Sequence, residues 1–155
     1  MMTDLAQKVI HLLNGKTLCT AESCTGGGIG AALTGIAGSS AVFKGGIISY
    51  CNEVKANVLA VSESLLKDRG AVCGQVAEEM AQGAKKLLKT DVAVSVTGLA
   101  GPGGDDFGNP VGTVFIGYCD DFVCISREFH FAGDRNSVRN QAIAQALLLI
   151  VEHNR

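Results

Sequence analysis

The sequence lacks the features of a nucleic-acid-binding protein. It contains no tryptophan, two tyrosines and six phenylalanines, so aromatic side chains on which bases could stack are scarce. Its 13 lysines and arginines are outnumbered by 15 aspartates and glutamates, which gives a formal net charge of -2, and its basic residues form no cluster. Because binding to a phosphate backbone needs an excess of positive charge, we expect no nucleic-acid partner.

Long apolar runs are also missing. The stretch AIAQALLLIV near the C-terminus is shorter than the about 18 residues that a membrane-spanning helix requires. The N-terminal stretch MMTDLAQKVIHLL has no basic segment before its apolar residues, and polar residues interrupt it, unlike a secretory signal. We therefore expect no membrane association and a cytoplasmic location.

Motifs for metals and disulfides are absent as well. None of the six cysteines forms a C-x-x-C pair and most lie in apolar runs, so we expect buried, reduced thiols and no zinc site or disulfide framework. Asp105 and Asp106 are adjacent in a glycine-rich loop, where such a pair usually forms a solvated turn. We expect neither a metal nor a cofactor.

Glycine is abundant, with 20 residues against two prolines, which favours many tight turns. The 155 residues suffice for one core, and we expect a single domain over 1–155. Helices alternate with strands and an antiparallel hairpin follows, which predicts an α/β fold: a three-layer α/β/α sandwich with a mixed, mostly parallel sheet. The predicted helices cover about 3–14, 26–35, 53–60, 63–70, 74–89 and 134 onward, with Thr3, Asn52, Ser62 and Asp134 at helix starts; the predicted strands cover 17–21, 40–50 (bent or paired), 91–98, 111–119 and 122–131.

The stretch TAESCTGGGIG, residues 20–30, joins a predicted strand to a predicted helix and directs free backbone N–H groups toward a ligand. A Walker A loop is excluded because no G-K-[ST] follows, and a dinucleotide fingerprint fits only loosely, through Gly26, Gly28 and Ala31. A third interpretation makes Ser23 a nucleophile with helix amides as its oxyanion hole, although the first glycine of G-x-S-x-G is missing. The adjacent Cys24 is a second candidate nucleophile.

A nucleophilic serine requires a general base. His11 and His153 lie on terminal helices and His130 on an alternating strand, where a surface position explains each of them. Lys55, in SYCNEVK, would lie in the first turn of a helix, where the helix dipole and partial burial both lower its pKa. Tyr50 could hydrogen-bond to the lysine or relay a proton. Spacing alone nevertheless favours a solvated lysine and a tyrosine at the edge of the core.

Two further segments could line a binding site. The stretch TGLAGPGGDDFGNPVG is longer than a hairpin turn requires, and loops of this kind often close over a ligand. The stretch AGDRNSVR places Arg135 and Arg139 one turn apart at a helix start. Either arginine could bind a phosphate or carboxylate, or form a surface ion pair with Glu128 or Asp134.

Six segments together resemble the C-terminal domain of the CinA (competence/damage-inducible) family, also called PncC. In order they are TAESCTGG, SYCNEVK, GAVCGQVAEEMAQGA, SVTGLAGPGG, NPVGTV and FAGDRNSVRNQAIAQAL, and they extend over about residues 5–150. The resemblance implies a three-layer α/β/α fold and a metal-free nicotinamide-nucleotide amidase, a hydrolase acting on a linear amide in pyridine nucleotide metabolism. Its substrate would be a small nucleotide, nicotinamide mononucleotide, hydrolysed to nicotinate mononucleotide and ammonia.

The resemblance also implies roles for individual residues. Ser23 matches the family's nucleophile, Lys55 its base and Tyr50 its tyrosine, which reverses the preference drawn from spacing for that pair. Residues around the oxyanion and across the pocket would be Thr25, Gly26, Gly27, Thr97 and Gly98, and we expect Arg135 or Arg139 to bind the nucleotide phosphate.

The chain departs from the family pattern at two positions. Cys73 replaces a serine that would cap a helix, and Asn109 replaces a lysine before the proline of the long loop. The longer family members carry an additional N-terminal nucleotide-hydrolysing domain, and we expect the stand-alone form here. We also expect a homo-oligomer, although no residue pattern specifies one. The alternative function is a non-catalytic nucleotide-binding or protein-interaction module of the competence/damage-inducible type.

Overall fold

A five-stranded mixed sheet forms the middle layer of the protein, and the computed structural model describes all residues 1–155. The strands lie in the order β2-β1-β3-β4-β5. β1 pairs in parallel with β2 and β3, whereas β4 pairs antiparallel with β3 and β5, so β4 alone runs against the other strands. The predicted mixed, mostly parallel sheet is confirmed. The strands are β1 (Leu18–Glu22), β2 (Phe43–Ile48), β3 (Val92–Gly98), β4 (Thr113–Cys119) and β5 (Cys124–His130).

Helices cover both faces of the sheet and complete the predicted three-layer sandwich. One hydrophobic core lies between the sheet and α1, α2 and α6, and a second, smaller core lies between the sheet and α4 and α5. None of the helices has the length and apolar character needed to cross a bilayer. The helices are α1 (Met2–Leu12), α2 (Gly28–Thr34), α3 (Asn52–Asn57), α4 (Glu63–Arg69), α5 (Gly74–Leu88) and α6 (Arg135–His153).

Successive side chains of the central strand β3 point alternately into the two hydrophobic cores. Val92, Val94 and Val96 point into the core beneath α6, and Ala93 points into the core beneath α5. The polar residue on the α5 side is satisfied, because Ser95 donates a hydrogen bond to the carbonyl of Ala77 at 2.5 Å. The predicted interior strand is therefore confirmed, and both faces are buried as expected for a strand between two helical layers.

Two predicted helix caps were wrong, by two residues at α1 and by one residue at α3. Met1 is the N-cap of α1, so Thr3 is not its cap. Cys51 is the N-cap of α3, which makes Asn52 the first helical residue and moves Lys55 from the third helical position to the fourth. At Ser62 the prediction is confirmed, since its hydroxyl accepts a hydrogen bond from the Leu65 N–H at 3.3 Å.

The segment predicted as a bent strand or strand pair, 40–50, contains one strand preceded by a short 3₁₀ turn, Ser39–Ala41. The bend is a β-bulge: Leu18 and Cys19 of β1 face Phe43 and Gly45 of β2, so Lys44 has no partner opposite it. The segment therefore forms one bulged strand, β2, at the edge of the sheet next to β1.

One pair of cysteines contradicts the expectation of reduced thiols only. Cys119 and Cys124 form a disulfide across the β4–β5 hairpin. The hairpin register places the two residues directly opposite each other, which the absence of C-x-x-C pairs in the sequence did not reveal. Of the free cysteines, Cys51 is exposed, and the other three (Cys19, Cys24 and Cys73) are buried as expected.

Candidate active site

A cavity of about 590 Å³ opens where the parallel strands β1, β2 and β3 end. The crevice beyond the carboxyl ends of such strands is the usual ligand site of open α/β sheets. The cavity brings together Ser23 from the end of β1, Lys55 from α3 and Arg135 from α6, and the long loop 99–107 covers one side. Three distant parts of the sequence therefore meet at one place.

Ser23 is fixed by the backbone on both sides of it. Its N–H donates to the carbonyl of Val96 on β3, and its own carbonyl accepts from the Gly26 N–H, each at 3.0 Å. The side chain of Lys55 approaches from α3, and its Nζ donates hydrogen bonds to Ser23 Oγ at 3.1 Å and to the Ser49 carbonyl at 2.6 Å. Serine and lysine are thus in direct contact, as the resemblance implied.

The surroundings of Lys55 favour its uncharged form. The side chain is 1% exposed and forms no ion pair with a carboxylate. Burial therefore lowers the pKa of Lys55, and the nearby thiols of Cys51 and Cys24 oppose this only in part. A neutral amine within hydrogen-bond distance of a hydroxyl can accept its proton, so the pair has the geometry of a general base and a nucleophile.

Cys24 also lines the cavity, but its environment does not suit a nucleophile. The residue is 6% exposed, and burial raises the pKa of its thiol to about 11. The thiolate is the reactive form of cysteine, so Cys24 stays protonated and unreactive near neutral pH. Between the two adjacent candidates, the geometry selects Ser23.

Tyr50 and Arg135 form a pair at the mouth of the cavity. The tyrosine is exposed, and its hydroxyl accepts a hydrogen bond from Arg135 Nη2 at 2.9 Å. Arg135 Nη1 donates to the Gly101 carbonyl at 2.7 Å, which anchors the guanidinium against the long loop. Tyr50 forms no hydrogen bond with Lys55, a contact that the sequence allowed, because its hydroxyl lies at the mouth of the cavity against Arg135.

Thr97 and Gly98 line the opposite wall, as expected. The Thr97 hydroxyl is already used, because it donates to the Ala71 carbonyl at 2.9 Å. Gly98 lies against β4: a Cβ at this position would meet the Thr113 carbonyl oxygen at 2.8 Å. Both residues shape the wall and present no free side-chain donor.

Four expected binding residues do not line the cavity: Thr25, Gly26, Gly27 and Arg139. Thr25 is fully buried, and its hydroxyl donates to Glu22 Oε1 at 2.8 Å. Arg139 donates to the carbonyls of Cys24 and Thr25, at 3.0 and 3.2 Å, and so binds the protein backbone. Thr25, Gly26 and Gly27 thus belong to the turn that follows Ser23, and Arg139 binds the carbonyls of that turn from outside the cavity.

The amides near the expected oxyanion hole are only partly free. The first amides of α2 are occupied, since the N–H groups of Ile29 and Gly30 donate to the Glu22 carboxylate at 2.8 and 3.0 Å. Of the three expected amides, the N–H of Gly26 is occupied by the Ser23 carbonyl, whereas those of Thr25 and Gly27 have no acceptor in the protein. The N–H of Cys24 has no acceptor either, and Cys24 alone of these residues lines the cavity. This amide, next to the nucleophile, is therefore the candidate oxyanion donor.

Sequence reasoning missed two residues that build the site, Glu22 and Ser49, and left the role of Asn109 open. Glu22 was detectable, because a glutamate ending a buried strand before a glycine-rich helix start needs donors. The Ser49 carbonyl was not detectable, because its position depends on the edge strand. Asn109, which replaces the family's lysine, ties the long loop by donating to Asp105 Oδ2 at 2.8 Å and to the Val72 carbonyl at 3.3 Å.

The histidines do not form a second catalytic site. His130 lies on β5, with its Nε2 2.6 Å from Glu128 Oε2, and none of the histidines lines the cavity. Nowhere in residues 1–155 do three or more histidine, cysteine, aspartate or glutamate side chains come together as a metal site.

The CinA C-terminal domain model matches residues 2–153. A CinA-like protein of Geobacter metallireducens is 46% identical over 133 residues, which cover 86% of this chain and 32% of the relative. A putative competence-damage inducible protein of Halothermothrix orenii is 46% identical over 140 residues, covering 88% of this chain and 34% of the relative. The chain thus spans about a third of the length of these curated relatives.

Solved structures of similar length share the fold. A competence/damage inducible protein of Agrobacterium tumefaciens superimposes with a TM-score of 0.96 at 37% identity, covering 99% of this chain and 96% of the other. A CinA superfamily protein of Klebsiella pneumoniae gives a TM-score of 0.95 at 34% identity, covering 98% and 96%.

Proposed function

Because the chain belongs to the CinA C-terminal domain family, we propose that it is a nicotinamide-nucleotide amidase, which hydrolyses nicotinamide mononucleotide to nicotinate mononucleotide and ammonia. The observation that carries the proposal is the contact of 3.1 Å between Lys55 Nζ and Ser23 Oγ in the cavity. A buried lysine without a carboxylate partner is costly to the fold, and the cost is explained if the amine serves as a base.

In the first step the neutral amine of Lys55 takes the proton of the Ser23 hydroxyl. The oxygen attacks the carboxamide carbon, a C–O bond forms, and the electron pair of the C=O bond moves to its oxygen. The N–H of Cys24, which has no acceptor in the protein, would donate a hydrogen bond to the developing negative charge. A prearranged donor of this kind lowers the barrier because it needs no reorientation during the reaction.

In the second step the ammonium group of Lys55 gives its proton to the amide nitrogen. The C–N bond breaks, ammonia leaves, and the nicotinoyl group remains as an ester on Ser23. Lys55, neutral again, takes a proton from a water molecule that attacks the ester carbon. The bond between the ester carbon and Ser23 Oγ breaks, Lys55 returns its proton to Oγ, and nicotinate mononucleotide departs.

Arg135 would bind the substrate phosphate. Its guanidinium lies at the cavity mouth, where the Gly101 carbonyl and the Tyr50 hydroxyl hold it in place. A planar guanidinium binds phosphate oxygens through two parallel hydrogen bonds, which suits the recognition of a mononucleotide. Tyr50 then acts on the orientation of Arg135 and not on the proton of Lys55.

The test is ammonia release from nicotinamide mononucleotide by the wild type and by Ser23→Ala, Cys24→Ala and Lys55→Ala variants. We expect loss of activity in Ser23→Ala and Lys55→Ala and retention in Cys24→Ala. Lys86→Met, which removes an exposed lysine on α5, is the matched control and should be fully active. Full activity of Ser23→Ala would falsify the serine assignment. Tight nucleotide binding by a wild type that releases no ammonia would instead support the non-catalytic binding module.

A further inference from the structure

Two charged side chains outside the cavity bind the turn that carries the nucleophile, and we infer that Glu22 and Arg139 are positioning residues for Ser23. The inference rests on the proposed function, because it assigns these residues a role in that reaction. Neither residue lines the cavity, so neither is expected to touch the substrate.

Glu22 is a buried carboxylate, 2% exposed, that forms no ion pair. Burying such a charge is costly unless hydrogen bonds replace its water. Four donors do so: the hydroxyls of Thr20 and Thr25, at 3.0 and 2.8 Å, and the N–H groups of Ile29 and Gly30, at 2.8 and 3.0 Å. One carboxylate therefore ties the end of β1, the turn and the start of α2 together.

Arg139 fixes the orientation of the peptide groups in the same turn. Its Nε donates to the Cys24 carbonyl at 3.0 Å and its Nη2 to the Thr25 carbonyl at 3.2 Å. In a trans peptide the carbonyl and the following N–H point in opposite directions. The N–H of Gly26 accordingly points away from Arg139, toward the Ser23 carbonyl that accepts it at 3.0 Å.

The hydrogen bonds of Glu22 and Arg139 to the turn maintain the distance between the nucleophile Ser23 and the base Lys55. Lys55 is held by the Ser49 carbonyl and not by the side chains of Glu22 or Arg139, so Ser23 Oγ stays at 3.1 Å from Nζ only while the turn keeps its place. A displacement of about 1 Å in such a pair costs on the order of 100-fold in rate. Loss of a positioning residue should therefore lower kcat and leave KM nearly unchanged.

The experiment measures kcat and KM for ammonia release from nicotinamide mononucleotide and the rate at which a fluorophosphonate probe labels Ser23. The variants are Glu22→Gln, Arg139→Gln and the pair Thr25→Val and Thr25→Ser, of which only the serine keeps the hydroxyl that binds Glu22. Arg127→Gln is the control for loss of a cation, since Arg127 pairs with Glu152 on the surface.

We expect Glu22→Gln, Arg139→Gln and Thr25→Val to lower kcat and the labelling rate by about 10- to 100-fold, with KM within about twofold. Thr25→Ser should restore both rates, and Arg127→Gln should match the wild type. If Glu22→Gln does not fold, the Thr25 pair and Arg139→Gln still decide the matter.

Unchanged rates in Arg139→Gln and Thr25→Val would overturn the inference, and so would a rise in KM alone, which indicates substrate contact. A wild type that the probe does not label would also overturn it. Slow labelling of the variants beside normal labelling of a wild type that releases no ammonia would uphold the positioning role and reject only the amidase function.

Discussion

Replacing Lys55 by methionine should make the stability of the protein less dependent on pH. Methionine is apolar and similar in volume, so it fills the buried site without a titratable group. The folded protein lowers the pKa of Lys55 by burial, whereas the unfolded chain exposes the amine at its ordinary pKa of about 10.4. Between the two pKa values the unfolded state binds more protons, so the stability of the wild type rises with pH in this window.

The magnitude follows from the linkage between proton binding and folding. Each unit by which folding lowers the pKa costs the wild type about 1.4 kcal/mol at a pH below both values. For a domain of this size about 1.4 kcal/mol corresponds to a change of roughly 3–6 °C in Tm. Methionine also loses the hydrogen bonds to Ser23 Oγ and the Ser49 carbonyl, about 1 kcal/mol each, but this loss does not depend on pH.

The assay is thermal unfolding of the wild type, Lys55→Met and the surface control Lys86→Met at about pH 6 and about pH 10. The Tm of Lys55→Met relative to the wild type should be higher at the lower pH, and Lys86→Met should show no such difference. An equal Tm difference at both pH values would refute the conclusion that folding lowers the pKa of Lys55.

Two further predictions concern cysteine reactivity and packing. Iodoacetamide at about pH 8 should alkylate Cys51 but not Cys24, because Cys51 is exposed while burial raises the pKa of Cys24 to about 11. Peptide mass spectrometry will show which thiol is modified, and prompt modification of Cys24 in the folded protein would contradict its burial. Gly83→Ala should lower the free energy of unfolding by about 1–3 kcal/mol, because a Cβ at Gly83 overlaps the backbone of Leu59. In the control variant Gly103→Ala the added Cβ meets nothing within 4 Å, so its stability should not change. Equal denaturation midpoints for the two variants would contradict the prediction and show that α5 can move away from Leu59.

Much of the fold could be predicted from local patterns. Alternating valines identify β3 as an interior strand, and a short run of acidic residues at 120–121 marks the β4–β5 hairpin. Two of the errors arose where a feature depends on pairing between strands. The bulge at Lys44 and the disulfide between Cys119 and Cys124 are consequences of register, which a single strand does not encode.

The candidate site was predictable in part. Ser23 and Lys55 were predicted as nucleophile and base because two short segments resemble the family motifs. Spacing alone favoured an exposed lysine, because no local pattern reveals that α3 turns this side chain inward. The interpretation of the glycine turn as an anion-binding helix start was incomplete for another reason: Glu22 already occupies the amides of α2. An internal ligand of this kind becomes evident only when the strand and helix are placed together.

The pH dependence of kcat/KM for ammonia release tests most directly whether an uncharged Lys55 activates Ser23. This parameter reports the pKa values of essential groups in the free enzyme. Since the lysine must be neutral, kcat/KM should rise with pH through a pKa below the ordinary value of about 10.4 and then level off. A profile that keeps rising beyond about pH 10, as for an ordinary exposed lysine, or one that is flat from about pH 6 to about pH 10, would contradict the role of Lys55 as the base.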